Sequence, residues 1–224
     1  MKKILLTTLS LIFITTTIFL FSGCKKDKIT TPAIVLKGDN PMSVLLKGAF
    51  TEPGFTANDD TDGDITSSVT VEGGVNTDTA NAYIITYTVT NSGGVTVEKK
   101  RTVNVENKSA SREGDYNVHD IITGPSNGIY NYIATITAST TKNDTLYISN
   151  FANFSYNCSV EIAFDNTGNI SIPEQTLSGI PVGSEGTISG SGTTEDDGTT
   201  LTITYIINYY AGGTDNGNAT YTKN

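Results

Sequence analysis

Between Ile34 and Tyr221 the chain shows no helical patterning. It runs in short stretches rich in Val, Ile, Thr and Tyr, broken at hairpin-like spacing by Gly, Asn, Asp and Ser. Runs of this kind send alternate side chains to opposite faces and the breaks supply turn geometry, so the pattern predicts an all-β chain. The turns are explicit: "GDN" at Gly38, "DG" at Asp62-Gly63, "EGG" at Glu72, "SGG" at Ser92, "DNTGN" at Asp165 and "DDG" at Asp197. A charged, small-residue stretch, "ENKSASRE", separates the strand-like "TVNV" from "DYNVHDIIT". We therefore expect two β modules, residues 33–106 and 114–224, joined by a linker over 107–113. Each is long enough to bury a core of its own.

Ahead of the modules, Lys2 and Lys3 precede a mostly apolar stretch from Ile4 to Phe21, and Ser22-Gly23 are small residues before Cys24. This is the layout of a secretory signal, although the apolar part approaches the shortest length that can cross a bilayer. Phe21-Ser22-Gly23-Cys24 resembles a bacterial lipobox, with Phe21 where leucine is commoner. The resemblance implies that residues 1–23 are a lipoprotein signal peptide, that Cys24 is lipidated, and that the membrane is a partner through it. Multiple acylation agrees with the physics, since each buried methylene contributes about 0.8 kcal/mol and a single chain anchors weakly. Residues 24–32 are polar and aperiodic and read as a tether. The other cysteine, Cys158, sits in "YNCSVEIAF", where alternation puts it on one face with Val160 and Ile162. It reads as a buried small hydrophobe.

In the first module, Phe50, Pro53-Gly54, the turn from Asp60 to Thr66, the strand from Tyr83 to Val89 and the closing Arg101 to Val105 together resemble a bacterial Ig-like repeat common in cell-surface proteins. The resemblance covers residues 33–105 and implies an Ig-like β-sandwich that serves as a spacer or adhesion module. It departs at Asn81, where the family favours glycine, and at Asn91, where aspartate is usual. Asparagine tolerates turn geometries, so neither threatens the fold. The segment "DDTDGD" sets Asp60, Asp62 and Asp64 at alternate positions, and carboxylates gathered in a loop suit a hard cation such as calcium. EF-hand spacing fails, because counting from Asp60 the glycine falls at the fourth position and Val71 at the twelfth. The competing reading is a β-turn in which the Asp side chains cap backbone groups and Gly63 takes a positive φ.

The second module runs strand after strand: "YNYIATITAS", "DTLYISNF", "SVEIAF", "NISIP", "GTISGSG", "TLTITYIINYY" and "ATYTK". So many strands in one module suit an antiparallel barrel or a sandwich. The phrases "ISNFANF", "ISIPEQT" and "ISGSGT" followed by "LTITYII" resemble a lipocalin-like (calycin-like) β-barrel module that recurs in exported lipoproteins of Bacteroidota. The resemblance implies an interior able to hold one small ligand, with a barrel filled by its own side chains as the alternative. Tyr205, Tyr209 and Tyr210 are the candidate ligand-binding residues. Alternation puts Tyr205 and Tyr209 on one side with Ile207, and Tyr210 on the other with Ile206. Ordinary half-buried strand aromatics are the competing reading, and the absence of Trp weakens a stacking platform for sugars.

Catalytic signals are missing where they would be needed. The single histidine, His119, stands beside Asp120, but no Gly-x-Ser-x-Gly elbow presents a nucleophile to them. One His and one unpaired Cys do not make a zinc ligand set. The adjacent acids Glu195-Asp196-Asp197 cannot supply two carboxyls held apart across a cleft, as glycoside hydrolysis requires. We therefore expect no enzyme and no cofactor, calcium at the Asp-rich turn excepted. The formal charge of -9, more negative still if Lys2 and Lys3 are removed, argues against nucleic acid. The expected function is a non-catalytic binding lipoprotein of the cell envelope, taking a glycan, peptide or small ligand, anchored to the outer membrane on its surface or periplasmic face. The alternative is a structural or accessory subunit of an outer-membrane protein assembly.

Overall fold

The computed structural model describes residues 29–155, 157–177, 180, 183–195 and 199–224, and over them every long element is a strand. The first seven are β1 (Ala33–Leu36), β2 (Met42–Leu45), β3 (Phe55–Asp59), β4 (Gly63–Asp64), β5 (Thr70–Glu72), β6 (Asn81–Thr90) and β7 (Thr96–Glu106). They form two sheets, β1-β3-β4 and β2-β7-β6-β5. Strand β2 runs parallel to β7 while the other pairs are antiparallel. Alternation along β6 turns Ile85, Tyr87 and Val89 inward, where they meet Val103 from β7 and Ile34 and Ala57 from the opposite sheet. The Phe55 and Tyr87 rings lie 5.0 Å apart across this core. The result is a sandwich, with its apolar faces turned toward each other and away from water.

Arg101 is the exception in that core. It is fully buried on β7, yet its guanidinium donates to the carbonyls of Asp39, Lys37 (2.6 Å) and Gly54 (3.4 Å) and pairs with Glu52 at 3.2 Å. One side chain thus ties the turn after β1 to the turn before β3. This gives a physical reason for the Pro53-Gly54 and Arg101 signatures to occur together: the turn leaves carbonyls facing inward, and a buried carbonyl needs a donor.

The remaining strands are β8 (Gly114–Thr123), β9 (Gly128–Ala138), β10 (Thr145–Ser149), β11 (Ser159–Phe164), β12 (Asn169–Thr176), β13 (Gly186–Thr194), β14 (Thr200–Tyr209) and β15 (Thr214–Lys223). Each is antiparallel to its neighbours in sequence, and β15 pairs with β8 from Asn216↔Thr123 to Lys223↔Tyr116. The sheet closes into an up-and-down barrel, so no barrel strand offers a free edge. Inward positions carry Tyr116, Ile136, Leu146, Ile148, Ile162, Ile188, Leu201, Ile203 and Tyr221, all without solvent exposure. Glycines make room for the largest of them: a Cβ on Gly217 would lie 2.0 Å from the Tyr205 ring.

Between the two modules, residues 107–113 do not run as a free linker. Asn107 is buried, and its amide donates to the carbonyls of Ser139 (3.0 Å), Lys142 (2.9 Å) and Thr145 (3.0 Å) in the β9–β10 connection. Ala80 of the sandwich donates its backbone N–H to Thr140 at 2.7 Å. Arg112 lies 4.6 Å from the centre of the Phe164 ring. The small, polar composition that marked a linker is what lets this segment lie close against a hairpin and satisfy its carbonyls. The tether reading of 24–32 is likewise corrected at its far end. Thr30 is buried, its hydroxyl 2.6 Å from Asp59 and its carbonyl accepting from Asn91 at 2.8 Å.

Candidate functional site

The Asp-rich turn is organised by a residue that alternation of Asp60, Asp62 and Asp64 did not single out. Asp59, at the end of β3, is buried and accepts from Thr30 Oγ1 (2.6 Å), Thr61 N (2.9 Å), Asn91 Nδ2 (3.1 Å) and Asp62 N (3.2 Å). Asp62 reaches across to Ser92, accepting from its N–H at 2.6 Å and its hydroxyl at 2.5 Å. Asp64 caps Thr66 N at 2.9 Å; Asp60 is exposed. Gly63 has φ +73°. Among the described residues, no group of three or more His, Cys, Asp or Glu side chains converges as a metal site would require. The departure at Asn91 also finds its reason, because its amide can donate to Asp59, where a second aspartate would set two carboxylates together.

These bonds hold the Asp59 carboxyl down at about 2, Thr30 contributing most and burial opposing. A carboxylate depressed in the folded state contributes stability that is complete above its unfolded pKa of about 3.9 and is lost as pH falls through the folded value of about 2. Asp59→Asn is therefore expected to lower the melting temperature at neutral pH and to flatten its decline over that acid window. Scanning calorimetry from neutral to acid pH checks this, and an acid limb identical to the parent's would show that Asp59 does not carry it.

In the barrel, alternation separates His119 from Asp120. His119 points outward, its Nδ1 2.9 Å from Asn131 Oδ1. Asp120 points inward, fully buried, and accepts from Tyr205 OH at 2.6 Å and Tyr132 OH at 3.2 Å. Burial pushes the Asp120 carboxyl above the usual carboxylate range, against the pull of those two hydroxyls. The sequence neighbours thus lie on opposite sides of the barrel wall and cannot act on one group. Cys158 is also interior, and burial pushes its thiol up to about 11, which keeps it protonated and unreactive near neutral pH.

The tyrosine candidates do not form one face. Tyr205 is a core residue, bonded to Asp120 and wedged beside Phe151 at 4.8 Å between ring centres. Tyr209 is half-buried at the barrel end, its hydroxyl donating to Asp215 at 2.6 Å. Only Tyr210 is exposed. The three thus share no surface: Tyr205 packs in the interior, Tyr209 lies half-buried at the barrel end, and Tyr210 faces solvent. Cys24 lies outside the described residues.

What the barrel does present is its outer wall over β13, β14, β15, β8 and β9. The outward side chains there are Thr, Ser, Asn and Ile, and only Asp115 and His119 among them are ionisable. Strand register lines them up in rows. One row reads Thr193, Thr202, Thr220, His119, Asn131, and the next reads Ser191, Thr204, Asn218, Ile121, Ile129. Two shallow grooves mark this wall. The first, about 460 Å³, is lined by Asn117, His119, Asn131, Ile133, Thr220 and Thr222, and the second, about 380 Å³, by Ser189, Ser191, Thr204, Ile206 and Asn216 among others. Parity in the sequence could have marked each of these residues as outward, but the rows depend on register between strands, which parity does not fix.

Comparison with known proteins bears mainly on the sandwich. No curated protein matches the chain. Among solved structures, a lipoprotein from Bacteroides thetaiotaomicron aligns over 86% of this chain and 100% of its own, at 20% identity and a TM-score of 0.37. A CBM51 domain in complex with GlcNAc, with INT domains, from Clostridium perfringens ZmpB aligns over 86% of this chain and 48% of its own, at 13% identity and a TM-score of 0.30. The M60 catalytic domain of the same protein, with two CBM51 domains, aligns over 87% of this chain and 23% of its own, at 13% identity and a TM-score of 0.29. The chain thus spans about half of the second structure and a quarter of the third. Residues 34–105 match the family model of the bacterial surface protein Ig-like domain, so the chain carries a domain of that bacterial surface family, followed by a closed antiparallel barrel.

Proposed function

We propose that this is a lipid-anchored, non-catalytic binding protein of the bacterial cell envelope, in which the Ig-like domain spaces the barrel from the membrane and the barrel presents the binding surface. The observation that carries the reading is the division of labour in the barrel: the interior is occupied by its own side chains, while a broad wall outside is polar, carries few ionisable groups and is grooved. The joint at Asn107 supports it, because a spacer that docks on the barrel orients that wall. Cys24, at the lipobox, supplies the anchor.

Cys24→Ser is expected to leave both domains folded and to shift the protein from the membrane pellet to the soluble fraction. Retention in the pellet would remove the lipid anchor from the proposal. A second reading, an accessory subunit of an outer-membrane assembly, is favoured by Ile121, Ile129 and Ile133, which are exposed on the paired strands β8 and β9. Cross-linking in intact cells separates the two, since an assembly subunit yields one discrete protein adduct.

A further inference from the structure

We propose that the outer wall of β13, β14, β15, β8 and β9 is a binding site for an uncharged polysaccharide. The inference rests on reading the barrel as the binding module, and it names both the site and the ligand class. Three other ligand classes are disfavoured by the barrel itself. A closed sheet has no free edge to which an extended peptide could add as a strand. Among the described residues, side chains such as Phe151, Tyr205 and Tyr221 pack together in the interior, which disfavours an apolar small molecule there. An anionic polymer meets a chain of formal charge -9 with no basic patch on this wall.

A neutral, hydroxyl-rich chain fits what remains. Thr and Ser hydroxyls and Asn amides each donate and accept, as sugar hydroxyls do, so one can replace the other's water without leaving a group unpaired. Neutral groups also lose less than charged ones when water is displaced. The rows provide such groups repeatedly, as in Thr193, Thr202 and Thr220, on adjacent strands about 4.8 Å apart. A repeating polymer can engage several at once, which compensates for weak individual contacts. Ile121 and Ile129 are register partners in the same wall and offer an apolar ledge to the C–H faces of sugar rings.

The test is native affinity electrophoresis of the full chain, solubilised in a polyoxyethylene detergent, through gels containing soluble neutral polysaccharides or an anionic one. Retardation by at least one neutral polymer is expected, with Thr204→Glu and Thr220→Glu each weakening it by about tenfold or more. Ser159→Glu, on the far wall, should leave it unchanged. Equal retardation of parent and Thr variants would overturn the site while leaving a binding protein. Retardation by the anionic polymer alone, or by none, would overturn the ligand class. A concentration-dependent dimer in sedimentation equilibrium that Thr220→Glu abolishes would assign the wall to a second copy instead. Membrane fractionation of Cys24→Ser reads the anchor separately, so the two proposals fail independently.

Discussion

Replacing Arg101 with methionine is expected to cost the Ig-like domain about 3–5 kcal/mol, because several backbone carbonyls and the partly exposed Glu52 lose a fully buried donor at once. Methionine roughly retains the volume, so packing alone would predict a small change. What disappears is the donor set that satisfies Lys37, Asp39 and Gly54 carbonyls and neutralises Glu52. Each of those acceptors would then lose its donor in a partly buried site, where an unsatisfied group costs about 1–3 kcal/mol. Arg101→Lys keeps the charge but not the planar fork, and it should recover only part of the loss. Hydrogen exchange resolved by domain is the appropriate readout. Amides of β6 and β7 should lose protection while those of the barrel strands keep theirs. Unchanged protection in β7 would mean the guanidinium is dispensable to the sandwich.

Phe151→Ala should destabilise the barrel by a similar amount, about 3–5 kcal/mol, the usual cost of emptying a buried aromatic site. Phe151 is fully buried and inserts beside two core rings, Tyr205 at 4.8 Å and Tyr221 at 6.5 Å. It hangs from a segment in which Asn150, Ala152 and Asn153 all adopt left-handed backbone angles, with φ of 54°, 51° and 58°. Ala152 pays roughly 1–2 kcal/mol for that conformation, which asparagine adopts more readily, and the burial of Phe151, with the bond from Asn150 Nδ2 to the Ile133 carbonyl at 2.9 Å, holds the segment there. Truncation should therefore also release the segment, raising its exchange rate well before the barrel unfolds. Ala152→Gly relieves strain and keeps the ring, so it should not destabilise. If Phe151→Ala lowered the unfolding midpoint no more than a surface substitution, the plug would be ornamental to the barrel.

The strands of this protein were legible because they are local. Period-two alternation marked β8 from Tyr116 to Ile122 and β14 from Leu201 to Tyr209, and Gly, Asn and Asp marked the turns between. The signature residues of the Ig-like repeat were legible too, and Arg101 earns its place through contacts with the turn around Gly54. The candidate sites were less so. Asp60, Asp62 and Asp64 drew notice for their spacing, whereas the organising carboxylate is Asp59, whose partners Thr30 and Asn91 lie 29 and 32 residues away. Tyr205 read either as a ligand-binding candidate or as a half-buried strand aromatic and is buried in the barrel, because no local pattern says which side of a strand becomes the inside.

The sequence by itself determined the class of structure and the division into an Ig-like module and a second β module. Backbone preference and side-chain alternation act over a few residues, and such signals survive in the linear order. Tertiary structure alone decided between barrel and sandwich, through the pairing of β15 with β8, whose partners stand about a hundred residues apart. The same closure turned Asp120 and Tyr205 inward together and set Thr202, Thr220 and Asn131 in one row outside. Closing a sheet sets the register of every strand against its neighbours and assigns each face to core or solvent.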